Sequence, residues 1–155
     1  MEKTLTDDEV ATIIREYIPQ VVHLSLGTSN DGKPWVCEVH YAYDDDLNLY
    51  FRSTPDRRHC QDIAQNPRVA GSIVTQHFLN QAPRGVYFEG TAAMLDDVTE
   101  AHVAVQCTAR RLGKPAAQIV AELENGHRFY KITPTDWYLF DTYISRPAKK
   151  YHLAV

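Results

Sequence analysis

Apolar and polar residues alternate along much of this chain, with the period of two that a half-buried strand requires. The alternation predicts strands at residues 21–28, 34–43, 47–53, 69–75, 84–95 and 127–142. In LNLYFRS, residues 47–53, Leu47, Leu49 and Phe51 fall on one face. A helical period governs residues 6–18 instead, where Val10, Ile13, Ile14 and Tyr17 form one apolar stripe. Thr6 stands where an N-cap is needed, and Glu9 follows at capping-box spacing. That stripe is expected to seal one end of a barrel. Further helices are predicted at 56–65 and twice between 97 and 124. The first of these last two, 97–112, turns Val98, Ala101, Val105 and Leu112 inward. The second opens at Pro115 and ends at Asn125-Gly126.

Turn residues order these elements. Ser29-Asn30-Asp31-Gly32 supplies the glycine that a tight hairpin needs. Asp44-Asp45-Asp46 turns the second strand into the third. Asn66-Pro67 ends the short helix, because a residue before proline is pushed out of helical geometry. Antiparallel hairpins joined in this order predict a mainly β fold with helices: a six-stranded antiparallel split β-barrel. The helical stretch 97–124 interrupts it after the fifth strand, as packing cover or as a lid.

At 155 residues the chain is expected to form one domain, 1–155. Its 44% hydrophobic and 23% charged content is ordinary for a globular protein. The net charge of −4 excludes a general nucleic-acid binder, which needs a basic excess. The basic residues cluster instead, at Arg52, Arg57, Arg58 and Arg68 and again at Lys149-Lys150, which suits a local anion site. Cys37, Cys60 and Cys107 are odd in number and have no CxxC or metal-ligand spacing. With no signal peptide, they lead to the expectation of a reducing cytoplasm and no metal. No apolar run approaches the roughly 20 residues of a membrane span.

Residues 47–69, LNLYFRSTPDRRHCQDIAQNPRV, concentrate the chemistry. Hydroxyls at Ser53 and Thr54 stand at a strand end. A helix start follows, with free N–H groups and the positive end of its dipole. Arg57 and Arg58 add planar guanidinium donors matched to phosphate oxygens. The alternative is a solvated basic helix start.

The order of strands, this helix start and the following NPRV resemble the FMN-binding split-barrel family, the pyridoxamine 5'-phosphate oxidase-like proteins. Pro34, Val39 and Tyr41 match its P-x-x-x-x-V-x-[FY] strand, and residues 84–90, RGVYFEG, are similar to its later glycine-flanked strand. The resemblance covers residues 17–150. It is nearest to a small bacterial and archaeal branch with Trp35 and Cys37, the pair Arg58-His59, and Lys149-Lys150. The arginine- and histidine-bearing C-terminal segment of the pyridoxine-pathway enzyme has no convincing equivalent here.

The resemblance implies FMN as cofactor, with phosphate contacts at Arg58, His59 and Ser53 supported by Arg52 and Thr54. The family has Arg-Lys where this chain has Arg58-His59, so the second cation depends on the protonation of an imidazole. It further implies that the strand bearing Cys37, Glu38, Val39 and His40 runs past the flavin ring, bonding it through the backbone. Cys37 also fits a small buried hydrophobe, His40 a structural histidine and Glu38 an exposed strand residue. Lys149 reaches the flavin or lies in a solvated tail. A homodimer with sites at the subunit interface is implied, acting on a small molecule. Because flavin redox chemistry belongs mainly to the cofactor, no catalytic base is assigned. Three functions remain open: an FMN-dependent oxidoreductase, the same fold holding haem or the deazaflavin F420, and a non-catalytic flavin store or stress-linked module.

Overall fold

The structure is a computed structural model and describes residues 4–145 and 148–155. It begins with α1, Asp7–Tyr17, and a 3-10 turn at Ile18–Gln20. Strands β1, His23–Asn30, β2, Lys33–His40, β3, Ala42–Tyr43, and β4, Leu49–Ser53, follow. Helix α2, Arg58–Gln65, leads to β5, Arg68–Val74, and β6, Arg84–Met94. The insert holds α3, Val103–Leu112, and α4, Ala116–Ala121, before β7, Arg128–Asp141, and β8, Lys150–Ala154.

All strands pair antiparallel in one curled sheet with the path β2-β1-β5-β6-β7-β4-β3, and β8 adds to β7. The six expected strands are all present, yet the sheet has eight segments. The second expected strand divides at Tyr41, whose hydroxyl donates to Ile18 O at 2.6 Å. Before that break β2 pairs with β1; after it β3 pairs with β4. The last addition, β8, lies in the C-terminal stretch beyond the last expected strand.

Two apolar clusters explain the parity of the strands. The larger lies inside the curl and takes Leu24 and Leu26 from β1, Leu49 and Phe51 from β4, and Ile132 and Trp137 from β7. Helix α1 closes it with Val10, Ile14 and Tyr17, and the Thr6–Glu9 capping box is formed. The smaller lies on the opposite face, where the insert packs Val105, Cys107 and Ile119 against Ala42, Tyr50 and Phe129. The insert therefore packs against the sheet. Its first helix starts at Val103 rather than 97, leaving Ala101 exposed, and Leu112 is also exposed.

The β1–β2 hairpin turns on Asp31 and Gly32, with φ of 51° and 70°, the pair of positive angles of a type I′ turn. In β6–β7 the register shifts at Glu89/Gly90, so Thr135 is an extra residue on β7. This bulge moves the inward positions of β7 from even numbers, Tyr130 and Ile132, to odd ones, Trp137 and Leu139. Gly90 is required there, because an added Cβ would meet Thr133 O at 2.3 Å. Gly85 is approached by the side chains of Phe140 and Val74 and by Ile73 O. Among the described residues no helix is long and apolar enough to cross a membrane.

Candidate functional site

Strands β2 and β3 are the two ends of the sheet path, and β3 pairs only with Leu49 and Tyr50, so the barrel is open between β2 and the remaining end of β4, Phe51 to Ser53. Alternate backbone groups along the outer edge of β2 therefore have no ladder partner. Helix α2 starts at this opening.

Parity decides what β4 delivers to it. Phe51 faces the larger cluster, so Ser53 two residues on shares that side and is almost fully buried. Four residues then join β4 to α2. The Arg57 N–H donates to Thr54 O at 3.1 Å, and the Asp56 carboxylate, fully exposed, takes a side-chain bond from Thr54 that lowers its pKa. Helix α2 starts at Arg58 rather than at 56, with extended Arg57 as N-cap. No side chain among the described residues caps it. The first-turn N–H groups are thus left to water or a ligand.

His59 Nε2 lies 2.9 Å from Ser53 Oγ. Burial lowers the His59 pKa from its usual value; Arg57 adds to this and Asp62 opposes it. The imidazole is therefore neutral at pH 7, and a bound dianion would pull its pKa back up. Arg58 is exposed and lies over the Trp35 ring, with its guanidinium carbon 4.3 Å from the centroid. That stacking holds the guanidinium beside the opening while its N–H donors stay available.

Trp35, Cys37 and Val39 share one face of β2, with Val39 buried in the core. Burial raises the Cys37 pKa to about 11, so the group is a thiol at neutral pH and no nucleophile. Glu38 and His40 lie on the other face. The Ser25 hydroxyl donates to Glu38 Oε1 at 2.5 Å, and His40 Nε2 meets His23 Nε2 at 3.0 Å. Arg52 also faces away from Ser53 and pairs with Glu122. Lys149 is remote within one chain. Its N–H donates to Ser145 Oγ at 2.9 Å, and neighbouring Lys150 pairs with Phe140, twelve residues along β7 from the Arg128 that pairs with Ser53.

The structure thus brings Ser53, Arg58 and His59 to one spot, sets the backbone of residues 37–40 along the opening, and turns Arg52 elsewhere. Sequence reasoning missed the layer beneath. Asp62 is buried under the helix and accepts from Thr28 Oγ1 at 2.7 Å. Asp62 is buried along with Cys60 and Ile63 but does not share their apolar stripe, so helical periodicity did not mark it. Missed too was Trp35 as the platform for Arg58. The donor set suits a phosphate: a hydroxyl, an imidazole, a guanidinium and uncapped N–H groups.

Residues 10–141 match the family model described as pyridoxamine 5'-phosphate oxidase. Several solved structures share the fold at low identity. A FAD-binding protein from Mesorhizobium loti is 21% identical with a TM-score of 0.61, covering 87% of this chain and 94% of its own. HutZ, the haem storage protein of Vibrio cholerae, is 18% identical at 0.65, with 79% and 88% covered. General Stress Protein 26 from Bacillus anthracis is 16% identical at 0.65, with 94% and 98% covered. No curated protein matches the sequence.

Proposed function

Since this chain belongs to the pyridoxamine 5'-phosphate oxidase family, we propose that it binds FMN in the opening between β2 and β4 and acts as a small-molecule oxidoreductase. One observation carries the reading. Ser53 and His59 meet at 2.9 Å beside Arg58, at the uncapped start of α2. These are the positions at which the family resemblance puts the flavin phosphate.

Bound there, FMN supplies hydride and electron transfer, while the protein contributes position and electrostatics. Arg58 offers two charge-assisted donors from its platform on Trp35. Ser53 donates its hydroxyl hydrogen to a phosphate oxygen. His59 donates from one ring nitrogen when neutral and carries a charge when protonated. The uncapped N–H groups of α2 add the dipole end. The open edge of β2 offers backbone donors and acceptors at residues 37–40 to the ring's polar rim. No side chain there is needed as a base, which agrees with Glu38 and His40 facing away.

We further propose that two copies pair about a two-fold axis and complete two sites between them. The outer sheet face supports this, since Val36 is 63% exposed beside Ala70, Tyr87 and Tyr138. The deciding experiment is release of the ligand from purified protein by heat, followed by its mass and absorbance. FMN with flavin bands is expected, and bleaching by NAD(P)H would identify a redox enzyme rather than a store. A Soret band, or protein that neither carries nor takes up FMN, would sink the reading.

A further inference from the structure

The outer face of the β1–β2 hairpin carries a pair of histidines. His23 opens β1, His40 closes β2, and the two stand directly opposite in the register. Their neighbours Leu24 and Val39 point into the core, so both imidazoles point outward, and both residues are exposed. The two Nε2 atoms are 3.0 Å apart. The ring centroids are 4.2 Å apart, with the planes inclined by 70°. That centroid spacing is shorter than a head-on bond between two rings gives, so the rings sit partly side by side.

The backbone fixes this spacing. On the β2 side, the Tyr41 hydroxyl next to His40 donates to Ile18 O at 2.6 Å. On the β1 side, Arg111 Nη2 donates to Val21 O at 2.5 Å, two residues before His23. Both strand ends are thereby tied to the body of the fold. Two nitrogens bound cis to one ion at about 2.0–2.1 Å stand about 2.8–3.0 Å apart, so the pair already has the separation of a chelate. Burial first, then His23, Arg111 and Arg52, lower the His40 pKa. Its ring is therefore neutral at pH 7, the form that binds a metal. The same two arginines oppose any cation, which rules out ions without a strong preference for imidazole. Glu38, next on the same face, accepts from the Ser25 hydroxyl and is not counted as a ligand. Among the described residues no group of three or more metal-ligating side chains forms, so the pair is a two-ligand site with open positions.

We propose that His23 and His40 together bind one divalent transition-metal ion, Cu²⁺ before Ni²⁺ or Zn²⁺, through their two Nε2 atoms. Small rotations of the two exposed rings bring both lone pairs onto one ion. Imidazole ligands suit these three ions, and Cu²⁺ stands highest in their order of affinity. Mg²⁺ and Ca²⁺ take oxygen ligands, which the pair does not offer. Water or a small anion fills the remaining positions. The two histidines are 17 residues apart in the chain, so no local ligand spacing marks the site, and the hairpin register makes it. Ser53, Arg58 and His59 take no part, so the metal site stands or falls separately from the flavin reading.

The test titrates Cu²⁺ into the whole protein and follows its electron paramagnetic resonance spectrum. One ion per chain, coupled to two imidazole nitrogens, is expected. A linked second ligand raises affinity by about 10²–10⁴-fold, so His23→Gln and His40→Gln should each weaken binding by at least about a hundredfold. Each should also reduce the coupling to a single nitrogen. Both positions are exposed, so urea unfolding of the metal-free variants should match the parent. His152→Gln, which removes the exposed imidazole bonded to Asp136, should leave Cu²⁺ binding unchanged, and so should Arg58→Ala. Calorimetry with Zn²⁺, which does not oxidise thiols, should show weaker binding that the same two histidine variants abolish. No uptake of Cu²⁺ or Zn²⁺ at millimolar concentration, a spectrum without imidazole coupling, or affinity retained in either His23→Gln or His40→Gln would each overturn the proposal. Loss in His152→Gln with retention in His40→Gln would overturn it as well, by assigning the ion to His152 and Asp136.

Discussion

The His59 imidazole bonds the Ser53 hydroxyl at 2.9 Å, tying the end of β4 to the first turn of α2. Five residues separate the pair, and the Arg57 N–H to Thr54 O bond closes the turn between them. The hydroxyl is nearly buried while Arg58 alongside is exposed. The spot is therefore rigid on its inner side and open on its outer side, as a ligand site requires.

Arg58→Ala should weaken FMN binding and leave riboflavin nearly unaffected, because riboflavin has no phosphate. A charge-assisted hydrogen bond contributes about 1.5–3 kcal/mol, so a loss on the order of ten- to a hundredfold is expected. Fluorescence titration of both ligands reads it. Equal losses would mean that Arg58 supports the fold rather than the phosphate.

Acid should act on His59 in two opposite ways. The folded pKa of His59 lies below its ordinary value of 6.5, and so does that of His40, both through burial first. Below about pH 6.5 the unfolded chain thus binds more protons than the folded one, and stability falls as pH falls. His59→Asn should flatten part of this slope in denaturant titrations at pH 5.5 and 7.5; an unchanged slope argues against it. FMN binding should tighten from pH 7.5 towards 6.5, by at most about tenfold per pH unit, because the phosphate favours the charged imidazole. His59→Asn should remove that gain.

Gly90→Ala should destabilise the fold by about 1–3 kcal/mol, the usual range for overpacking. The new methyl group would meet backbone, Thr133 O at 2.3 Å and Pro134 Cα at 2.7 Å, and backbone in a paired strand yields little. Urea unfolding measures the change. A variant as stable as the parent would show that the bulge relaxes freely.

Light scattering should give twice 17.7 kDa for the FMN-loaded protein. Val36→Glu, which puts a charge on the exposed sheet face, should shift the mass towards one chain and weaken FMN with it. A stable monomer that retains FMN would refute sites shared between two subunits.

Much of the fold was legible because strands and helix starts are written locally. Period-two alternation marked six strand regions, and Thr6 with Glu9 marked the start of α1. Asn66-Pro67 marked the end of α2, where Asn66 is indeed extended, with φ of −140°. The break at Tyr41 was not legible. It depends on a hydroxyl reaching Ile18 O, a partner set by the fold. The Thr135 bulge was also hidden, since one unpaired residue shows only when β6 and β7 are laid side by side.

At the candidate site the same division holds. Ser53, Arg58 and His59 lie within six residues, so a strand end followed by a helix start brings them together by local geometry alone. The sequence by itself determined that much, because backbone periodicity acts over a few residues. Contacts between distant segments were decided only by the tertiary structure. Arg52 alternates away from Ser53 and finds Glu122 seventy residues later, across the insert. Asp62 finds Thr28, and Lys149 is carried to the far end of β7. Such pairings follow from which strands neighbour one another and how strongly the sheet curls. Those are properties of the whole packed chain, set by burial of two apolar clusters on opposite faces of the sheet.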